Sequence, residues 1–140
     1  MGSIEPTAEQ LQAFLESGED DTPVVMINLL RYREQASYPE GFDAAPCSGR
    51  EAYQRYGAVA TQRIASVGGR LVWLGSAQHT LIGPEAECWD DAVLVEYPSR
   101  KAFLTMVSQP EYQAAAPHRS AALEDSRLIA THTLAEGIRG

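Results

Sequence analysis

Residues 91–131, DAVLVEYPSRKAFLTMVSQPEYQAAAPHRSAALEDSRLIAT, decide the predicted fold. The stretch opens with an alternating run rich in valine at 91–97, which is typical of a half-buried strand. Pro98 ends that run, and Ser99 follows as a helix N-cap ahead of an apolar stripe. A second helix start, a capping box at residues 108–111 with Pro110 at the first helical position, precedes a helix and a final strand. We therefore predict strand, helix, kink, helix and strand in this order.

The first half of the chain supplies a matching strand and helix. Residues 24–32, VVMINLLRY, are apolar on both alternating faces, which predicts a central strand that is covered on both sides. Ser48 and Glu51 form a capping box that opens the main helix, and a Gly-Gly pair ends it. A long strand is predicted over residues 70–82, where Gly75 marks a bulge or a close approach.

Two segments lie outside this pattern. Residues 7–10 fit a capping box, so a short helix is predicted within an N-terminal extension at 1–23. Residues 33–49 carry several Pro and Gly residues, with Tyr38 and Phe42 among them, and predict a long irregular loop. Such a loop is either a lid over a binding site or a surface insertion held by its two aromatic residues.

The order of elements predicts an α+β protein with a ferredoxin-like fold. After the N-terminal helix the pattern is β-α-β-β-α-β, which gives a four-stranded antiparallel sheet with the helices on one face. At 140 residues the chain fits one domain, residues 1–140, with its core at 24–134. An apolar sheet face without helices would exceed what soluble monomers usually expose. We therefore predict a homodimer in which a second copy covers that face.

Composition excludes several classes of partner. The formal net charge of −8 and the sequence pI of about 4.8 argue against nucleic acid and against an anionic membrane. No apolar run approaches the ~20 residues that span a bilayer, and no secretory signal is visible. Cys47 and Cys88 lack CxxC spacing, which predicts two free thiols rather than a disulfide. We expect a soluble cytoplasmic protein.

Several motifs taken together resemble one protein family. They are GGRLVWLGS at 68–76, EYPSRKAF at 96–103 and QPEYQ at 109–113, with Arg119 following. Their order is similar to that of domain-of-unknown-function family 1330, a member of the dimeric α/β-barrel superfamily. The resemblance implies two ferredoxin-like sheets packed face to face and no settled activity. Superfamily relatives include cofactor-independent monooxygenases, haem-degrading enzymes, lactone isomerases and stress-response proteins, so the fold alone does not choose a function.

Asn28 is the clearest candidate for a binding residue. It is a polar amide in the middle of an apolar strand, and a buried amide must be hydrogen-bonded or cost a few kcal/mol. It either satisfies a neighbouring loop backbone or faces a pocket and holds a substrate oxygen. Tyr32, on the same alternating face, and Trp73 are further candidates for binding a substrate.

Two histidines are candidates for catalysis. His79 is expected on the Trp73 face near the end of its strand, and His118 follows Pro117, which is expected to interrupt the second helix. An unperturbed imidazole pKa near 6.5 suits general acid–base chemistry. The alternative for each is an ordinary solvated side chain.

Three polar residues near helix ends are candidates for binding. Ser99 and Arg100 stand where a strand meets a helix start, and free backbone N–H groups with a guanidinium favour an anion there. The alternative is an ordinary N-cap beside a solvated arginine. Arg119 is expected at the edge of a cavity or as a solvated residue at a helix end.

The expected metal and cofactor content is none. The sequence contains no GxGxxG, GxxxxGK[ST], GxSxG or HExxH motif, and its three histidines have no metal-ligand spacing.

Three functions remain open on the sequence. The first is a homodimer with a pocket for a small, partly apolar molecule, either a binding protein or a cofactor-independent enzyme. The second is a non-catalytic dimeric interaction or stress-response module. The third is a haem-directed or cofactor-independent monooxygenase, for which the superfamily resemblance suggests Asn28, Trp73 and His118 as rough candidates. The sequence does not decide whether the protein is an enzyme.

Overall fold

The structure is a computed structural model that describes residues 2–18 and 21–136. Within these ranges the order is α1 (Ala8–Glu16), β1 (Val24–Tyr32), α2 (Gly49–Ser66), β2 (Arg70–Ser76), β3 (Asp91–Tyr97), α3 (Arg100–Val107), α4 (Pro110–Ala122) and β4 (Leu123–Thr131). The kinked second helix of the prediction is therefore two helices, α3 and α4.

The strands of the described residues form one four-stranded antiparallel sheet in the order β2-β3-β1-β4. β1 lies at the centre and pairs with both β3 and β4, although these strands are far apart in the chain. Helices α2 and α4 pack against each other and supply residues to a core on one face of the sheet. The prediction of an α+β, ferredoxin-like fold with an additional N-terminal helix is confirmed.

Local capping signals explain where two of the helices begin. The Thr7 hydroxyl accepts a hydrogen bond from Gln10 N, while the Gln10 side chain accepts one from Thr7 N, so α1 has its predicted capping box. Ser48 and Glu51 make the same reciprocal pair at the start of α2. Each box satisfies two N–H groups that a helix N-terminus otherwise leaves free.

The predicted capping box at residues 108–111 is wrong. Gln109 is the N-cap of α4 and makes no side-chain capping bond, although Pro110 does occupy the first turn. A proline in the first turn of a helix has no N–H that needs a hydrogen-bond acceptor, and its φ is already helical. The helix then continues through Pro117 to Ala122, so Pro117 does not interrupt it.

The two faces of the sheet have different surroundings. On the helix-covered face, alternate residues of β1 and β3 are buried against the helices. The opposite face, which we call the open sheet face, has no helix packed on it among the described residues. Its apolar residues include Val25, Ile27 and Leu29 of β1, Trp73 of β2, Ala92 and Leu94 of β3, and Ile129 of β4. Ile27 pairs with both Leu94 and Ile129.

β2 is shorter than predicted. It ends at Ser76 rather than near residue 82, and residues 77–90 form a loop whose ends meet where Ala77 N donates to Asp90 O at 2.8 Å. Its register shift lies between Leu71 and Trp73 rather than at Gly75. Gly75 is instead a close approach, because a Cβ there would lie 2.1 Å from the Trp73 indole.

Candidate functional site

Asn28 lies on the helix-covered face, between Met26 and Leu30. Its Nδ2 donates to Met26 O and Val93 O, and both distances are 3.4 Å, beyond the usual range for such bonds. Among the described residues no donor is hydrogen-bonded to its Oδ1. The protein therefore satisfies this amide poorly and leaves an acceptor for another molecule.

The helices leave the β4 edge of the helix-covered face partly uncovered beside Asn28, and we call this uncovered stretch the gap. Leu128 pairs with Asn28 across the sheet and shares its face, yet it is 44% exposed. An apolar residue on this face would be buried if the helices reached that edge. Asn28 therefore has an apolar and partly open neighbour, in contrast to the closed core around Leu30.

Three tyrosines extend from the helices over the same face. Tyr53 and Tyr56 of α2 have ring centroids 5.2 Å apart, and the hydroxyls of Tyr56 and Tyr112 are hydrogen-bonded at 2.9 Å. Burial is the main reason why the pKa values of the Tyr53 and Tyr56 phenols are raised. These phenols are therefore neutral near pH 7 and act as hydrogen-bond donors rather than as bases.

Arg119 lies on the stripe of α4 that faces the sheet, between the buried residues Ala115 and Ala122. Its Nη1 donates to Ile4 O at 2.7 Å. Its positive charge partly opposes the rise in the pKa values of Tyr53 and Tyr56, and Tyr112 precedes it on the same stripe of α4. We call Tyr53, Tyr56, Tyr112 and Arg119 the tyrosine–arginine cluster.

A second polar group joins the ends of β1, β3 and α2. Asp91 is 8% exposed, and its Oδ2 accepts from Tyr32 OH at 2.7 Å and from Arg50 Nη1 at 3.0 Å. The Arg50 guanidinium also lies over the Tyr32 ring, 4.7 Å from its centroid. Burial, and then the bond to Asp91, raises the pKa of the Tyr32 phenol far above its ordinary value. The Tyr32 hydroxyl is thus occupied by its bond to Asp91. Tyr32, Asp91 and Arg50 form a structural joint between β1, β3 and α2.

The sequence analysis missed Asp91 and Arg50. One signal was present, because Asp91 alternates with Val93, Val95 and Tyr97 and therefore shares their core-facing side of β3. A carboxylate in such a position needs a partner. The identity of that partner, Arg50, depends on how α2 is placed over the sheet.

His118 fastens the loop of residues 33–49 to α4. The Tyr38 hydroxyl lies 2.7 Å from His118 Nδ1 and accepts from Arg55 Nη1 at 3.2 Å. Arginine only donates, so the Tyr38 oxygen is the acceptor for Arg55, and the Tyr38 hydrogen is available to a neutral His118 that is protonated on Nε2. The Phe42 ring stacks on Tyr38 with centroids 5.2 Å apart. The two aromatic residues thus hold the loop in place.

Lowering the pH below about 6.5 should destabilise the protein through His118. Burial, and then the Arg55 charge, lowers the pKa of His118 from its ordinary 6.5. The unfolded chain then binds this proton more readily than the folded one, so the free energy of unfolding falls as pH drops through the window below 6.5. Urea denaturation across this window should show a steeper loss for wild type than for His118→Gln. The exposed His79→Gln is the control, and equal slopes for wild type and His118→Gln would contradict the assignment.

The other predicted residues lie apart from Asn28. The Ser99 hydroxyl accepts from Ala102 N at 3.0 Å as the N-cap of α3, and Arg100 packs its guanidinium over the Phe14 ring. His79 is exposed in the loop after β2, not in a strand.

The structure does not bring Asn28, Trp73 and His118 together. Trp73 pairs with Leu94, so it lies on the open sheet face, opposite to Asn28, and is 53% exposed. Among the predicted binding residues, Asn28, Tyr32 and Arg119 share the helix-covered side.

Two surface recesses flank the helices. One of about 510 Å³ lies at the junction of α3 and α4, and one of about 520 Å³ lies between the N-terminal segment and Ser120. Asn28 lines neither of them. Within residues 2–18 and 21–136 no cluster of side chains suited to a metal ion is found, and no helix there is long and apolar enough to cross a membrane.

The architecture is that of a ferredoxin-like α+β protein, and comparison assigns the family. The family model described as "Domain of unknown function (DUF1330)" matches residues 46–133, so the chain belongs to this family. The predicted family membership is confirmed. A search of curated proteins finds no match.

Several solved structures are similar to this chain. The RPA0582 protein of Rhodopseudomonas palustris, described as of unknown function, is 40% identical, with 96% of this chain and 99% of that chain covered and a TM-score of 0.87. Methylated RPA0582 protein is 41% identical, with 98% of each chain covered and a TM-score of 0.88. Hydroxynitrile lyase from Passiflora edulis is 13% identical, with 85% and 99% covered and a TM-score of 0.53, a likeness of fold alone.

Proposed function

We propose that this chain forms a homodimer that binds a small, partly apolar molecule between the helix-covered sheet face and helices α2 and α4. The observation that carries the proposal is Asn28, whose Oδ1 has no donor among the described residues and whose Nδ2 bonds are long. Ligand sites are commonly apolar with a few oriented polar groups. A ligand hydroxyl could bond to Oδ1 while apolar atoms contact Met26 and Leu128.

The open sheet face supports the dimer. Its centre is apolar, and ion pairs surround it, including Arg31–Glu124 at 3.2 Å and Arg70–Glu96 at 3.1 Å. An apolar centre with a polar rim is the usual anatomy of a protein interface. A second copy is the natural occupant, because two-fold association brings the same face of each chain together.

The proposal also includes the cellular compartment, which the two cysteines indicate. Cys47 and Cys88 are both free, as predicted, with Cys47 buried and Cys88 exposed. An unpaired exposed thiol suits a reducing compartment. We propose the cytoplasm, and we propose no metal, cofactor or nucleic acid as a partner.

Replacing Asn28 by leucine should remove ligand binding while leaving the fold intact. Because the native Nδ2 bonds are long, Asn28→Leu should unfold at the same temperature as wild type or higher. A structural asparagine would instead cost roughly 1–3 kcal/mol on removal. The measurement is the melting temperature against a library of small aromatic acids, lactones and phenols. Wild type should respond to some members, and Asn28→Leu to none.

The exposed Gln62→Leu on α2 is the matched control, since it makes the same kind of change away from the gap. It should keep the wild-type ligand response. If Asn28→Leu unfolds the protein while the remaining folded fraction responds normally, Asn28 is structural and the proposed site is wrong. A flat response of wild type over the whole library would count against ligand binding altogether.

The monooxygenase alternative has less support. It places Asn28, Trp73 and His118 around one pocket, and Trp73 lies on the other face of the sheet from Asn28. Titration with haem tests its haem branch, because a bound haem changes the Soret band. The interaction-module alternative predicts that no small molecule binds at all, and the same library separates it from our proposal.

A further inference from the structure

The chemistry of Arg119 identifies the kind of molecule that would fit the gap. We propose that the ligand is a small organic acid whose carboxylate is bound by Arg119, with a hydroxyl elsewhere that donates to Asn28. This inference rests on the proposed function, because both residues lie between the sheet and α4. It adds a ligand class and a role for the tyrosine–arginine cluster.

The position of Arg119 is unusual for a long charged side chain. It stands on the sheet-facing stripe of α4, where its neighbours on the stripe are Ala115 and Ala122. Small neighbours leave room for the arginine side chain between helix and sheet. Charged side chains rarely enter such places without an ionic partner. A guanidinium at this location is therefore expected to have a negatively charged partner.

No carboxylate of the described residues is that partner. Arg119 makes one hydrogen bond, to the neutral carbonyl of Ile4, and lies within 4 Å of no described acidic side chain. Arg31, Arg50, Arg63, Arg70 and Arg127 are paired with carboxylates, whereas Arg33, Arg55 and Arg100, like Arg119, form no ion pair among the described residues. The chain carries a net charge of −8, so acidic side chains are plentiful. A guanidinium has five N–H donors, so most of those of Arg119 are available to an anion.

The neighbours of Arg119 are suited to the same anion. Tyr53 donates to no acceptor among the described residues, and Tyr56 and Tyr112 share one hydrogen bond, which leaves one hydroxyl hydrogen of that pair free. A guanidinium matches the charge of a carboxylate, and neutral phenol hydroxyls supply further hydrogen-bond donors beside it. Asn28 Oδ1 is an acceptor and cannot bind that carboxylate, so it requires a donor such as a hydroxyl. Arg119 thus favours a carboxylate, and Asn28 favours a hydroxyl on the same molecule.

The test uses matched pairs of acids and amides. The probes are 4-hydroxybenzoate, 4-hydroxyphenylacetate and 4-hydroxycinnamate, each beside its primary amide, titrated calorimetrically into the full-length protein. Wild type should bind at least one acid roughly 10–100-fold more tightly than its amide, since hydrogen bonds to charged groups are the strong ones. Arg119→Gln should abolish that preference. Arg63→Gln, which removes an ion pair with Glu111, is the control and should retain it.

Arg119→Lys guards against a folding defect, because lysine keeps the positive charge and a donor for the Ile4 carbonyl. It should retain part of the acid preference. If amides bind as tightly as acids, or if Arg119→Gln leaves acid binding unchanged, the inference is wrong. The proposed function then stands, since a ligand still binds and Asn28→Leu still removes it. If neither these probes nor the neutral lactones and phenols bind, both the inference and the proposed function are wrong.

Discussion

Replacing Ile27 by aspartate should convert the proposed homodimer into a monomer of 15.3 kDa in light scattering at micromolar concentration. Ile27 lies at the centre of the open sheet face, paired with Leu94 on one side and Ile129 on the other. In a two-fold dimer the substitution places two carboxylates in the interface, and neither has a partner. Burying an unpaired charge costs several kcal/mol, enough to dissociate an ordinary interface.

The matched control is Leu11→Asp. Leu11 is an exposed apolar residue of α1, away from the open sheet face, so the same chemical change there should leave the dimer intact. A monomeric wild type at the same concentration would show that the homodimer proposal is wrong. A dimeric Ile27→Asp variant would show that the two chains meet through another surface.

Replacing Asp91 by alanine should lower the free energy of unfolding by about 1.5–3 kcal/mol, the range for hydrogen bonds to a charged group. The carboxylate accepts from both Tyr32 and Arg50 in a nearly closed site. Its removal leaves a phenol and a guanidinium without their acceptor. The Arg50 side chain is 52% exposed and can turn to water, which keeps the loss below that of a fully buried ion pair. Urea denaturation of the two proteins measures the difference.

Two comparisons make this result specific. Tyr32→Phe removes one donor and leaves the ion pair, so we expect a smaller loss of about 0.5–1.5 kcal/mol. Asp43→Ala removes an exposed carboxylate from the loop and should be nearly neutral. An Asp91→Ala variant no less stable than Asp43→Ala would mean that the joint between β1, β3 and α2 contributes nothing.

Local patterns predicted the fold well where one segment carried its own signal. The alternation of β1 placed Asn28 with Met26 and Leu30, and the structure puts all three on the helix-covered face. The predicted length of β2 was wrong because a strand extends only as far as a neighbouring strand pairs with it. β3 begins at Asp91, opposite Ser76, so residues 77–82 have no strand beside them, although their composition suits one.

The candidate site was predictable only in part, for the same reason. An amide inside an apolar strand and an arginine on an alanine-rich helix are visible one segment at a time, and the sequence named both as candidates, which stay predictions. The contact of Tyr38 with His118 joins residues 80 positions apart and depends on how the loop is laid on α4. The partnership of Asp91 with Arg50 likewise forms only when α2 packs over the sheet.

The loop between β1 and α2 closes on itself at its base. Gln35 and Ser48 form an isolated bridge, and Ala36 N donates to Cys47 O at 2.9 Å, so the chain leaves and rejoins the core at one point. Changing the length of such a loop alters its closure entropy only slowly and leaves its anchors in place. An insertion between Phe42 and Cys47, beyond the aromatic residues that contact His118, should therefore lengthen the loop while β1 and α2 keep their positions.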